Sequence, residues 1–169
     1  MNARRLLPLL LVPLAALQVS WGPGAAVQGT FPNLVLLAVV GWTWLAGARE
    51  GLWWALAGGL ALDLGAAGPL GPHALACLVP AYLTGIAARS LAREALVLPA
   101  LAAALASFVY GLLLLGAADT LGQPVPRAGV AVQLLLASAV YNAVLMPLAM
   151  LGLRRLRSWL GPAPAVAEW

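Results

Sequence analysis

Charged residues are scarce in this chain. Only 8% of its 169 residues are charged and 63% are hydrophobic, whereas a typical soluble domain is roughly 25% charged and about 45–50% apolar. A water-soluble fold of this size would still expose about a third of its surface, so it could not hide this many apolar side chains. The composition excludes a soluble enzyme, an extracellular module and a disordered tail, and it predicts an integral membrane protein.

Cysteine and histidine occur once each, and lysine does not occur. The lone Cys77 excludes a disulfide framework and a cysteine-based metal cluster, and we expect no metal and no cofactor. The sequence contains no HExxH motif, no Walker loop and no Gly-x-Ser-x-Gly motif. No histidine is expected near Ser107 or Ser138, and no two apolar segments carry facing aspartates. We therefore predict a protein that is not an enzyme.

Long apolar segments make up most of the chain. Crossing a hydrocarbon core about 30 Å thick takes roughly 17–25 helical residues. Charges and Gly/Pro clusters divide the chain into apolar segments at residues 6–19, 33–48, 51–65, 74–88, 95–118 and 130–153. We predict one all-α domain over residues 1–160, a six-transmembrane-helix bundle, followed by a short unordered tail at residues 161–169. A cleaved signal peptide and a re-entrant segment at 51–65 are the alternatives.

The arginines predict the orientation of this bundle. Eight of the nine lie at segment ends on one side of the predicted membrane, namely Arg4, Arg5, Arg49, Arg89, Arg93, Arg154, Arg155 and Arg157. Only Arg127 lies on the other side, so the positive-inside rule makes both termini cytoplasmic. Because the arginines are scattered between apolar segments, we expect no nucleic-acid partner. The basic end of the last segment is expected to bind anionic lipid headgroups.

Few polar side chains fall at membrane depth, and each is a functional-site hypothesis. Asp63 is the one acidic residue well inside a predicted span, and Asn33 follows Pro32 at the start of the second span. Pro32 suits a helix start. Asp63 and Asn33 lie in the same leaflet on consecutive antiparallel spans, so we predict a hydrogen bond between them. A structural clasp and a ligand or partner site are both open interpretations.

The last span carries a second polar candidate, Asn142, near mid-membrane. Pro147 lies five residues further on and is expected to kink the helix, which could shape a binding site, a gate or helix packing. His73 is expected to be a solvated or capping residue. Small residues four apart, such as Ala55 and Gly59, predict close helix packing within the bundle or with a partner. The tryptophans expected to form an inner-leaflet cluster or belt are Trp42, Trp44, Trp53 and Trp54.

The chain also resembles a known family. The residues that carry the resemblance follow in this order: Pro32-Asn33, Arg49, Gly59, Leu62-Asp63-Leu64, Pro69-Leu70-Gly71, Ala74-Leu75, Ala81-Tyr82-Leu83, Asn142, Pro147 and Arg154-Arg155. Each motif is a small-residue or turn pattern. The ordered set, with its length and topology, resembles the rod shape-determining protein MreD family, most closely over residues 31–85.

This resemblance implies a non-enzymatic component of the cell-elongation machinery in the bacterial inner membrane. Proteins of this family associate with the bitopic MreC and, through it, with MreB, RodA and a penicillin-binding transpeptidase. The implied fold is similar to the substrate-binding membrane subunit (S-component) of energy-coupling-factor vitamin transporters. We therefore expect a scaffold that binds MreC and supports peptidoglycan synthesis and cell shape. The alternative is a solute-binding subunit with an outer pocket between Asn33, Asp63 and Asn142.

Overall fold

The computed structural model describes residues 7–21, 24, 30–66, 68–90 and 97–160, and these form six α-helices. A 3-10 turn at Leu7–Leu10 leads into the first helix, and the six are α1 Leu11–Trp21, α2 Leu34–Ala46, α3 Ala48–Gly65, α4 Pro72–Ser90, α5 Val97–Thr120 and α6 Ala128–Trp159. Each helix lies over one predicted apolar segment, so the all-helical class is confirmed. The predicted tail at 161–169 lies outside the described residues, as do Arg4, Arg5 and Arg93.

Two of these helices, α5 and α6, are long and apolar enough to cross a membrane. Within the apolar window of each, only 22% of the residues are buried inside the protein. Large apolar side chains therefore point outward, among them Leu101, Leu105, Val144 and Leu148. A core helix of a soluble protein would be mostly buried, so these two helices indicate a membrane protein.

Helix α2 lies at the centre of the bundle. It contacts each of the other five helices, and ten of its 13 residues are buried. Its 13 residues span about 20 Å at about 1.5 Å per residue, which is less than the hydrocarbon thickness of about 30 Å. Asn33 before its start and Leu45 near its end are buried, so the free backbone groups at both ends of α2 need protein partners.

Close packing of α3 against α4 depends on two glycines. A Cβ atom on Gly59 would lie 2.7 Å from the backbone nitrogen of Ala74, and one on Gly85 would lie 2.8 Å from the Cα of Ala48. Neither backbone can yield by so much, so both positions require glycine. Gly59 and the buried Ala55 therefore pack within the bundle, which decides between the two interpretations of this small-residue stripe.

The tryptophans divide between the core and the surface. Trp42 and Trp54 stack with ring centroids 4.6 Å apart, and Trp42 Nε1 donates a hydrogen bond to Glu50 at 3.0 Å. Trp44 is also fully buried, whereas Trp53 is 64% exposed. The predicted aromatic cluster is thus confirmed for Trp42 and Trp54, and Trp53 faces outward instead.

The two prolines singled out in the sequence lie in different settings. Pro32 precedes Asn33, the N-cap of α2, so it stands just outside the helix rather than in its first turn. Pro147 lies inside α6, which is helical from Ala128 to Trp159. The proline therefore does not divide this helix into two, and the kink at Pro147 stays a prediction.

Candidate polar site

The buried start of α2 is capped by side chains from two other helices, α1 and α6, and by its own N-cap. The Asn33 side chain accepts a hydrogen bond from the Leu36 backbone N–H at 2.9 Å. The backbone N–H of Asn33 donates to Asn142 Oδ1 at 2.9 Å, and that of Val35 donates to Gln18 Oε1 at 3.1 Å. A helix leaves its first N–H groups without acceptors, and here side-chain oxygens supply them.

This capping extends into a buried hydrogen-bonded chain. Asn142 Nδ2 donates to Ser107 Oγ at 2.7 Å, and the Ser107 hydroxyl donates to the Ala103 carbonyl at 2.7 Å. The side chains of Asn142 and Ser107 are almost fully buried. The chain links α2, α6 and α5, so the predicted candidates Asn33 and Asn142 belong to one cluster.

Asp63, at the end of α3, caps the start of α4. Its Oδ2 accepts hydrogen bonds from the backbone N–H groups of Gly71 at 2.9 Å and Ala74 at 3.2 Å. Its Oδ1 accepts one from the backbone N–H of His73 at 2.9 Å and lies 2.9 Å from the ring Nδ1 of His73. Pro72 has no N–H to satisfy. Four donors therefore surround the two oxygens, which accounts for a carboxylate that is 1% exposed.

The predicted hydrogen bond between Asp63 and Asn33 is wrong. Both Asp63 oxygens are occupied by the start of α4, and Asn33 bonds to Leu36 and Asn142 instead. The prediction paired polar side chains on consecutive helices. The stronger demand comes from backbone N–H groups at buried helix starts, which have no water to bind.

Two contacts at the ends of α2 were not predicted from the sequence. Gln18, which accepts the hydrogen bond from Val35, was not among the predicted candidates. A polar amide side chain within the first apolar segment is the signal that could have identified it. At the opposite end of α2, Arg157 Nη1 donates to the Leu45 carbonyl. A guanidinium suits a helix C-terminus because it meets unpaired carbonyls and the negative end of the dipole.

The described basic residues lie mainly at one end of the bundle. Arg157 meets the last turn of α2, and Gly85 near the end of α4 packs on Ala48 at the start of α3. The arginines brought to this end are Arg49, Arg89, Arg154, Arg155 and Arg157. Arg127 immediately precedes α6 at the opposite end. The Arg155 guanidinium lies over the Trp159 ring, 5.9 Å from its centroid.

A cavity of about 530 Å³ lies between α5, α6 and the turn that joins α3 to α4. Its polar lining residues are Thr30, His73, Ser107, Tyr110, Gln123 and Ser138. Asn33, Asp63 and Asn142 do not line this cavity, so the predicted pocket between these three residues is not the one observed. They lie behind its wall instead, where Asp63 contacts His73 and Asn142 contacts Ser107.

The expectation that no histidine lies near the two serines is wrong. His73, Ser107 and Ser138 line the same cavity, because the start of α4 lies beside the middle of α5, and α5 packs against α6. Within the described part of the chain, no hydrogen bond joins His73 to either serine, and the Ser107 hydroxyl donates to a backbone carbonyl. A nucleophilic serine needs a base that accepts its proton, and this geometry does not assemble one.

An all-helical bundle, two membrane-length helices and polar side chains that cap buried helix ends define a helical membrane protein. The family model of rod shape-determining protein MreD matches residues 3–156. The chain therefore belongs to this family, as the sequence resemblance predicts. It is a family of shape-determining proteins that is not known for enzymes. No curated protein and no solved structure gives a significant match.

Proposed function

We propose that the chain is a six-span scaffold of the cell-elongation complex in the bacterial inner membrane. In this proposal it binds MreC directly and, through MreC, supports peptidoglycan synthesis by RodA and a penicillin-binding transpeptidase alongside MreB. The observation that carries the proposal is the family match, which covers residues 3–156 of the 169-residue chain.

The use of the buried polar groups supports a scaffold rather than an enzyme. The carboxylate of Asp63 has four hydrogen-bond donors, and the Asn142 amide bonds to both α2 and α5. These groups hold helices in place. Most of their hydrogen-bonding atoms are already occupied, so few remain to bind or activate a substrate. Rigid helix ends suit a protein that presents a fixed surface to partners.

The distribution of arginines supports the proposed topology. Arginines gathered at one end of the bundle would face the cytoplasm by the positive-inside rule, and Arg127 would face the opposite side. Arg154 and Arg155 at the end of α6 are suited to anionic lipid headgroups, with about 1 kcal/mol per arginine. The fold similarity to the S-component of energy-coupling-factor transporters stays a prediction.

Affinity purification of the full-length tagged chain from its own membranes tests the proposal. After mild detergent solubilisation, mass spectrometry of the protein and small-molecule fractions should recover MreC at a fixed ratio to the tagged chain. Membranes that express the tag on an unrelated six-span protein provide the control. Recovery of a small solute without MreC would contradict the scaffold and favour a solute-binding subunit.

A further inference from the structure

Among the described residues, His73 is the one ionisable side chain of the Asp, Glu, Lys, Arg and His types that lines the cavity between α5, α6 and the α3–α4 turn. None of the residues that line it is Asp, Glu, Lys or Arg, and the largest group is non-polar residues of α5 and α6, such as Leu114, Leu115 and Leu134. An anionic ligand would find no arginine to pair with, and its desolvation would be uncompensated. The wall therefore favours an uncharged ligand with a large apolar part.

The size of the cavity suits a single small molecule. At about 10 Å in diameter and 5.4 Å per turn, an α-helix occupies about 420 Å³ per turn. The cavity of about 530 Å³ would hold little more than one such turn. It falls within the range of about 300–1,000 Å³ that is common for small-molecule sites.

The polar side of the cavity offers an oriented hydrogen-bond acceptor. Asp63 Oδ1 lies 2.9 Å from Nδ1 of His73, and a carboxylate only accepts hydrogen bonds, so in the neutral form of the imidazole Nδ1 carries the proton. The Nε2 atom is then an acceptor. Among the described residues neither His73 Nε2 nor the hydroxyl of Ser138 has a protein hydrogen-bond partner. A ligand hydroxyl or amide could therefore donate to His73 and bond to Ser138.

We propose that this cavity binds one uncharged membrane lipid whose head carries a hydroxyl or amide group. The head donates a hydrogen bond to His73 Nε2, and the apolar chain lies against Leu114, Leu115 and Leu134. Asp63 acts as a positioning residue, since it orients the imidazole without touching the lipid. This inference goes beyond the proposed scaffold function and does not depend on MreC binding.

Binding of radiolabelled monoolein to the purified full-length chain in a nonionic detergent tests the inference. Monoolein is an uncharged lipid with two hydroxyls, and oleate offers a similar chain with a charged head. We expect saturable binding of one monoolein per protein and at least tenfold weaker binding of oleate. Absence of saturable monoolein binding, or equal binding of oleate, would overturn the inference.

Two substitutions on α5 form a matched pair for the same assay. Leu115 lines the cavity, whereas Leu112, one turn away, is 48% exposed and outside it. Leu115→Trp should fill the cavity and weaken monoolein binding at least tenfold, and Leu112→Trp should change it less than twofold. Equal effects of the two changes would indicate nonspecific lipid adsorption and contradict a defined site.

His73→Phe tests the proposed hydrogen bond. The backbone N–H groups that Asp63 caps remain in this variant, so the start of α4 keeps three of its four contacts. Monoolein affinity should fall about tenfold while helical circular dichroism is unchanged. Unaltered affinity would exclude His73 as the anchor. If Leu115→Trp abolished MreC capture while monoolein never bound, the cavity would be a protein interface instead.

Discussion

At the scale of single residues, the buried polar side chains of this protein complete the ends of helices. Asp63 accepts three backbone hydrogen bonds at the start of α4, and Asn33, Asn142 and Gln18 do the same for α2. In water these N–H groups would bind solvent, whereas inside a membrane bundle each needs a protein acceptor. Rare polar residues in an apolar chain are thus explained by backbone chemistry.

Replacement of Asp63 tests this explanation. Asp63→Ala leaves three N–H groups without their acceptor, one buried and two part-buried, and we expect a loss of folding free energy of at least the roughly 1–3 kcal/mol that one buried unpaired donor costs. Asp63→Asn keeps one carbonyl acceptor and should lose about half as much. Reversible unfolding in detergent, followed by circular dichroism, measures both, and the exposed Asp119 provides the control substitution Asp119→Asn. Unchanged stability of Asp63→Ala would contradict a capping role.

The sequence alone predicted three of the buried polar residues but not what they bind, and it did not single out Gln18. Asn33, Asp63 and Asn142 are all buried, as expected for polar groups within apolar segments. Their partners depend on which helix ends lie inside the bundle, and helix length and depth are set by tertiary packing. The hydrogen bond from Arg157 to the Leu45 carbonyl could not be predicted either, because the charge of this arginine equally fits a simple topological anchor.

At the scale of helices, α6 forms hydrogen bonds with both ends of the central helix α2. Asn142 of α6 accepts a hydrogen bond at the start of α2, and Arg157 donates one to its last turn. Fifteen residues separate Asn142 from Arg157, a distance of about 22 Å along the helix. This matches the length of α2, about 20 Å, so a single helix can contact both of its ends.

Substitutions at the two ends should therefore have independent effects on stability. Asn142→Ala leaves a buried N–H group unpaired and should cost about 1–3 kcal/mol, and Arg157→Ala should cost about 0.3–1 kcal/mol. Because the sites are well separated, the loss of stability in the double variant should lie within about 0.5 kcal/mol of the sum of the two single losses.

Arg155→Ala is the matched control for Arg157→Ala. The guanidinium of Arg155 contacts Trp159 rather than α2, so its removal should cost less stability than Arg157→Ala in the same unfolding assay. A strongly non-additive double variant would contradict two separate contacts.

At the scale of the whole molecule, hydropathy and charge predicted the six helical segments and the gathering of arginines at one end. The central place of α2 was not predictable, because a helix that is apolar all round gives no preferred face. For the same reason the cavity beside His73 could not be located. It arises where α4 begins beside the middle of α5, and no sequence periodicity encodes that relative depth.

The proposed six-span topology predicts opposite accessibility for the two ends of α6. In a Cys77→Ala background, Val125→Cys in the α5–α6 loop should react with a membrane-impermeant maleimide in intact spheroplasts. Ser158→Cys near the arginines should react only after the membrane is permeabilised. Both positions are exposed, so access to reagent is limited by the membrane alone. Labelling of both sites in intact spheroplasts would contradict the predicted orientation.

The most direct test of the scaffold account is the binding of purified MreC to the full-length chain in lipid nanodiscs. The account predicts a complex of fixed stoichiometry, with a mass measurable by light scattering. A label can be attached to the chain through Val125→Cys. This change lies in an exposed loop and should leave the fold intact. Failure of correctly folded protein to bind MreC, at concentrations where both proteins are stable, would contradict the scaffold account.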